Sequence, residues 1–283
     1  MTPKTKLRAR DIRSRFAALA GKPGELIDLA QAALLIAAEE GTHVDVAHYL
    51  SLIDELGQAG AARVAAHPGA GIDAFNEFIF EEKRFRGNQT EYYDPRNSFL
   101  NDVLDRRVGI PITLSIVYME VGNRAGLETQ GIGMPGHFLV RAREAGSLEA
   151  SLVDPFDGRI VDRDDCQARL DELFEGNVSL SEEHLRSSSA REILVRLLTN
   201  LKAIYARAQM HRQALAAVER IILLRPQDAA EQRDRGALLA QLDRLPEAIW
   251  CMKLYLQLAP RASDADEVKE QLYVMQRRLA MMN

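Results

Sequence analysis

Two prolines, Pro226 and Pro260, stand 34 residues apart, and so do two alanines, Ala214 and Ala248. That spacing constrains the chain more than its composition does. A proline-closed unit of this length is a pair of antiparallel helices that can bury its apolar face only by stacking on the next unit. Setting the units at 195–228 and 229–262 puts Leu198, Leu201, Tyr205, Ala214, Val218, Ile221 and Pro226 at packing positions in the first. In the second the matching residues are Gly236, Leu239, Ala248, Met252, Tyr255 and Pro260. Gly236 and Ala248 are small where the two helices of a unit must approach. Gln232 and Arg235 replace apolar residues, so the second unit is degenerate. Ser263 can cap a last helix, Asp264 to Met282, that covers the end of the array. The face carrying Arg196, Thr199, Asn200, Ala203, Arg233 and Ala237 is left to meet a protein partner, as a helix or an extended peptide.

Upstream, apolar residues recur at helical intervals through Leu26, Leu29, Ala33, Leu34 and Ile36, then through Val46, Tyr49, Leu50, Ile53 and Leu56, and through Phe75, Phe78, Ile79 and Phe80. Phe99, Leu100, Val103 and Leu104 mark a short helix closed by Gly109. Pro111 opens the next, since proline at a first helical position has no donor to lose and a preset φ. That helix runs from Ile112 to Ala125 and ends at Gly126. Beyond Gly126 the texture changes. Gln130–Met134, Phe138–Arg143, Ser151–Val153 and Arg159–Val161 are short, apolar-biased and separated by Pro135-Gly136, Asp154-Pro155 and Asp157-Gly158, which reads as adjacent antiparallel strands.

The fold expected is therefore α+β: a basic segment over 1–20, a core with N-terminal helices and a small antiparallel sheet over 21–185, and an all-α repeat array with its capping helix over 190–283. A formal charge of −5, from 36 basic and 41 acidic side chains, offers no general attraction to nucleic acid. Lys4 to Arg15 holds six basic residues and one acid, which fits a solvated terminus or a small interaction arm. No apolar run approaches the roughly 20 residues that would span a bilayer, and no charged start leads into a signal-peptide core. Cys166 and Cys251 are too far apart to suggest a disulfide framework or a zinc site, so a reducing cytoplasm is the expected location.

The residues that carry chemistry lie between Phe85 and Phe156. His137 at a strand start and Asp154 at a strand end, 17 residues apart, can lie side by side across a sheet. A carboxylate holding one imidazole nitrogen is the orienting half of a catalytic triad; equally, the pair can simply tie two strands together. As metal ligands the two are too few, and no cofactor is indicated. Ser115 and Thr113 are candidate hydroxyl nucleophiles for His137, although a helical serine is commonly bonded back to a carbonyl. Arg84, Arg86, Asn88, Tyr92, Tyr93, Arg96, Asn97, Arg106 and Arg107 form a dense set of donors that can receive a carboxylate, amide or phosphate. Alternatively Arg96, Arg106 and Arg107 pair with Asp94, Asp102 and Asp105.

The segments Phe85-Arg86-Gly87-Asn88, Tyr92-Tyr93-Asp94-Pro95-Arg96-Asn97-Ser98, Arg106-Arg107-Val108-Gly109-Ile110-Pro111-Ile112-Thr113-Leu114-Ser115, Pro135-Gly136-His137-Phe138 and Asp154-Pro155-Phe156, followed by the 34-residue repeats, resemble bacterial transglutaminase-like proteins with tetratricopeptide repeats, the SirB-type group. The resemblance implies a core related to transglutaminases and papain-like proteases, in which a cysteine opens the central helix, a histidine starts one strand and an aspartate ends the next. His137 and Asp154 match the second and third of these. Counting back from the helix end at Gly126, the cysteine position falls on Pro111. Cys166 follows Asp154 among aspartates that would disfavour its thiolate, and Cys251 lies inside a repeat helix. The resemblance thus implies a catalytically degenerate binding module joined to a protein-binding array, an adaptor or regulatory protein. The alternative is an active amide-bond hydrolase, deamidase or acyl transferase with Ser115 or Thr113 attacking and His137 as base.

Overall fold

The computed structural model describes residues 9–40 and 44–282. The basic residues before Ala9 lie outside it. From there on the chain is not an arm: α1 (Ala9–Ala20) buries Ile12, Phe16, Leu19 and Ala20, whose spacing gives a charged helix one apolar stripe. Arg13 reaches Glu39 of α2 (Leu29–Glu40), a helix buried from Leu29 to Ala38 on nearly every side. Asp45 caps α3 (Val46–Ala66) by accepting from the His48 amide. Next comes α4 (Gly71–Asn76), prolonged by a wider turn from Glu77 to Glu82.

Arg86–Gly87 forms a short strand, β1. It pairs in parallel with β2 (Val108–Gly109), which follows α5 (Leu100–Arg106). This pairing explains why α5 stops at Arg106, three residues before the expected Gly109. The backbone must turn out at Arg107 (φ 60°) to free Val108 and Gly109 for the strand. The Arg107 guanidinium settles over the Phe85 ring, 4.6 Å from its centre.

The central helix is α6 (Pro111–Arg124), with Pro111 at its first position and Gly126 in the left-handed region after its end. Pro111 to Met119 is buried without a break, so this helix is the axis of the core. Tyr118 stands edge-on to Phe75, 5.0 Å between ring centres, and its hydroxyl donates to the Asn76 side chain at 2.8 Å. Four antiparallel strands follow in sequence order: β3 (Leu127–Ile132), β4 (Leu139–Glu144), β5 (Ala150–Asp154) and β6 (Arg159–Val161). Val140 faces Val153 and Leu152 faces Val161 across the ladders.

Helix α7 (Arg163–Phe174) has no counterpart in the apolar pattern, because among its twelve residues only Cys166 and Leu170 are buried. Its start is nevertheless written in the sequence, as Asp162 and Asp165 exchange side-chain-to-amide bonds of 2.9 and 3.0 Å. Cys166 and Leu170 pack with Ile132, Met134, Leu139, Val161 and Leu185 against the sheet.

The chain divides into two compact units, Met1–Leu197 and Leu198–Asn283, with the division inside α8 (Ala190–Arg207). In the second unit α9 (His211–Leu224), α10 (Ala229–Gln241), α11 (Leu245–Leu258) and α12 (Ala265–Met282) form the repeat array. Its core joins Leu239, Ala248, Cys251, Met252, Tyr255 and Val268. A β-carbon at Gly236 would stand 3.1 Å from Met252, which shows how closely α10 and α11 approach. Among the described residues no helix is long and apolar enough to cross a membrane.

Candidate functional site

The turn at Pro135-Gly136 delivers His137 to the start of β4, with Gly136 at φ +68° and the His137 amide bonded to the Met134 carbonyl at 3.2 Å. Asp154 closes β5. His137 Nε2 and Asp154 Oδ2 are 2.8 Å apart, with both side chains buried. The carboxylate also accepts from Arg169 at 2.5 Å and from the amides of Phe156 and Asp157 at 3.0 and 3.3 Å. Burial pushes the Asp154 carboxyl up, but the bond from His137, the charges of His137 and Arg169 and the Asp157 amide together hold it below its ordinary value.

Because Asp154 takes Nε2, the nitrogen left to meet a substrate is Nδ1. It faces the Arg169 guanidinium at 3.5 Å. Arg169 also pairs with Asp157 at 2.6 Å, so three side chains fix it on one side of the imidazole. Arg169 escaped the sequence reading because its helix, α7, did. Its only signal was the reciprocal aspartate cap at 162 and 165.

The other members of the triad pattern are engaged elsewhere. Pro111, expected at the cysteine position, is buried at the first position of α6. The Thr113 hydroxyl accepts from the Ile110 amide at 3.2 Å and donates to the Asn97 carbonyl at 2.7 Å, which caps α6. The Ser115 hydroxyl, fully buried, donates to the Phe138 carbonyl at 3.4 Å. Cys166 is buried in the sheet packing, and burial together with the neighbouring Asp165 pushes its thiol up. Burial raises the Cys251 thiol in the second unit as well.

An aromatic row leads away from His137. Its ring stands edge-on to Phe156 at 6.2 Å, Phe156 is 6.3 Å from Tyr92, and Tyr92 is 5.4 Å from Tyr93. Tyr92 and Tyr93 are exposed. Gly87 makes room for this row: a β-carbon there would stand 2.6 Å from the Phe156 ring, while the Gly87 amide donates to the Phe156 carbonyl at 3.1 Å.

Among the expected ligand-binding residues, Asn88 and Asn97 are buried and bonded to each other at 3.1 Å, and Asn97 also holds the Glu91 carbonyl at 2.7 Å. They build the loop that carries Tyr92 and Tyr93. Arg96 pairs with Asp94 at 2.7 Å and Arg106 approaches the same carboxylate at 3.8 Å, as the pairing alternative has it. Arg86 projects from β1 and is exposed.

Arg196 was expected on the repeat face. It lies instead in the first unit, donating to the His137 carbonyl at 2.7 Å with its guanidinium 5.4 Å from the Phe138 ring centre. The reason is that α8 starts five residues before the first repeat frame and spends that turn on the core. In the second unit Asn200 is half-buried, and Arg233 is held by Asp264 and Asp234 over the Tyr255 ring.

A central helix that opens where a nucleophile would stand, a strand that delivers histidine and a neighbour that ends in aspartate, with helical repeats after them, define a transglutaminase-like domain joined to a tetratricopeptide array. Models of the transglutaminase-like superfamily and of the tetratricopeptide repeat match residues 47–199 and 201–273. The chain belongs to the transglutaminase-like superfamily, among the UPF0162 proteins. The UPF0162 protein of Xylella fastidiosa strain Temecula1 is 35% identical over 262 residues, covering 90% of this chain and 92% of that one. That of Pseudomonas aeruginosa is 34% identical over 216 residues, 76% of this chain and 78% of its own. F-box only protein 21 of Homo sapiens is 33% identical over 91 residues, 32% of this chain and 14% of that protein. No solved structure matches the chain.

Proposed function

We propose that this chain is a SirB-type adaptor of the cytoplasm, in which a transglutaminase-like domain without a nucleophile holds a ligand beside His137 while the repeats hold a protein partner. The observation that carries this reading is the start of α6. Pro111 is taken to occupy the nucleophile position, and the candidate hydroxyls, Thr113 and Ser115, are both bonded to backbone carbonyls. The other ring nitrogen of His137, Nδ1, has the Arg169 guanidinium 3.5 Å away, on the side that a general base would present to a substrate. Such a site favours binding over turnover. For the repeats, support comes from Ala203 and Ala237, which are exposed on the face expected to meet a partner.

The test is affinity capture from native lysate with three folded baits: the intact chain, His137→Ala, and the double variant Ala203→Arg with Ala237→Arg. A stoichiometric protein held by the first two and lost by the third is the expected result. The active-enzyme alternative predicts instead release of ammonia or amine from amide-bearing peptides, abolished by Ser115→Ala. That outcome would overturn the binding reading.

A further inference from the structure

Several described arginines of the first unit face an acid: Arg96, Arg124, Arg159, Arg169 and Arg186 each pair with a carboxylate within 2.9 Å. Arg196 does not. Among the described residues no carboxylate reaches its guanidinium, although the side chain is half-buried and burial lowers its affinity for its proton. Its protein contacts are one carbonyl, that of His137, and the face of Phe138. A half-buried guanidinium that meets one carbonyl and one ring has more donors in its fork than that carbonyl can use, so part of the fork is left for a ligand. Gly133 keeps one side of that fork clear: a β-carbon there would stand 3.4 Å from Arg196 Nη1 and 2.9 Å from Ser188 Oγ.

The surroundings select the anion. One unpaired guanidinium matches a planar monoanion, whereas a phosphate dianion calls for several cations or a nest of backbone amides. The other arginine beside His137, Arg169, is already neutralised by Asp154 and Asp157. Arg196 holds the His137 carbonyl, and the His137 ring adjoins Phe156 and through it Tyr92, whose edges and faces are offered to an apolar group attached to that anion.

We propose that Arg196 reads a carboxylate, and that the ligand held beside His137 is a peptide whose carboxylate pairs with Arg196 while an adjacent apolar side chain lies against Tyr92 and Phe156. This rests on the reading of the domain as a binding module. The carboxylate is either the peptide's C-terminus or an acidic side chain, and the two are separable by experiment.

Calorimetric titration of the full chain with three N-acetylated tripeptides makes the test: alanine-alanine-phenylalanine as the free acid, the same peptide as its amide, and alanine-glutamate-phenylalanine amide. At least one carboxylate-bearing peptide is expected to bind about tenfold or more tightly than the neutral amide. A preference for the first assigns the C-terminus, and for the third the side chain. In Arg196→Gln the preference disappears, while Arg196→Lys, which keeps the charge without the fork, retains part of it. Should Arg196→Gln fail to fold, the lysine variant and the acid-against-amide comparison on the native chain still decide. Equal binding of acid and amide, no binding of any of the three at millimolar concentration, or a preference that survives Arg196→Gln would overturn the proposal. Mass spectra of the same samples separate the two readings. Cleaved or transferred peptide would overturn the binding-module reading, whereas loss of the carboxylate preference with partner capture intact would overturn the ligand assignment alone.

Discussion

Asp154 concentrates more of the site than any other residue: a fully buried carboxylate that accepts from an imidazole, a guanidinium and two amides. Replacing it with asparagine leaves the shape but turns a donor toward His137 and Arg169, and breaking a buried charge pair in this way costs on the order of 3 kcal/mol. Urea unfolding at neutral pH should show a loss of that size. Acid should reveal the same group differently. The folded carboxyl sits below its ordinary value and the unfolded one near about 3.9. Its contribution is therefore complete above the unfolded value and is lost as the pH falls through the folded one. Asp154→Asn should accordingly be less stable at pH 7 yet lose stability less steeply below about pH 4. An equally steep acid limb in the variant would show that other carboxylates dominate there. At this scale His137 and Asp154 were legible because strand-edge residues 17 apart can meet across a short hairpin. Arg169 was not, since nothing in an arginine's identity tells whether it pairs locally or reaches into a site 15 residues upstream.

Elements whose apolar stripe is long were legible, and those held by polar caps were not. α2, α3 and α6 announce themselves by what they bury, whereas α7 buries two side chains and β1 and β2 are held by backbone pairing. The start of α8 is a polar device of the same kind. Glu192 accepts from Arg186 and from the amide and hydroxyl of Ser189, and the bond from Arg186 with its neighbours holds the Glu192 carboxyl down at about 2. An unfolded glutamate titrates near about 4.3, so the cap stabilises the folded chain fully above that value and releases it as the pH falls toward about 2. Carboxyl-carbon NMR of Glu192 should show the depressed midpoint, and Arg186→Gln should move it upward. An unchanged midpoint in that variant would remove Arg186 as the cause. Packing between elements makes its own prediction at Gly57 of α3, where an added β-carbon would run into the Arg124 side chain of α6. Gly57→Ala gains helix propensity but forces these helices apart, for a net loss of about 1–3 kcal/mol in thermal or urea melts. A neutral or stabilising result would mean that Arg124 swings aside without disturbing its bonds to Asp54 and Glu120.

For the molecule as a whole, two kinds of order meet in one chain. The repeat period was visible because the same packing requirement recurs at a fixed interval, and no second copy of the sheet exists to betray the first unit in that way. Where one unit gives way to the other was hidden for a related reason. A continuous helix, α8, crosses the division, and its periodicity is the same on both sides of Leu197. Arg196 was assigned to the repeats on that account, although its side chain serves the His137 site. Two compact units with separate cores should also lose stability separately. Leu239 is fully buried at the centre of the second core, and truncation to alanine there costs about 2–5 kcal/mol. In Leu239→Ala, hydrogen exchange should quicken across α10 and α11, while the amides of β4 and β5 beside His137 keep the protection they have in the native chain. Carboxylate-peptide binding at Arg196 should then survive in a variant whose repeats have been weakened. If β4 and β5 lose protection in step with α10, the units unfold as one, and a change in either would be felt by both the ligand and the partner.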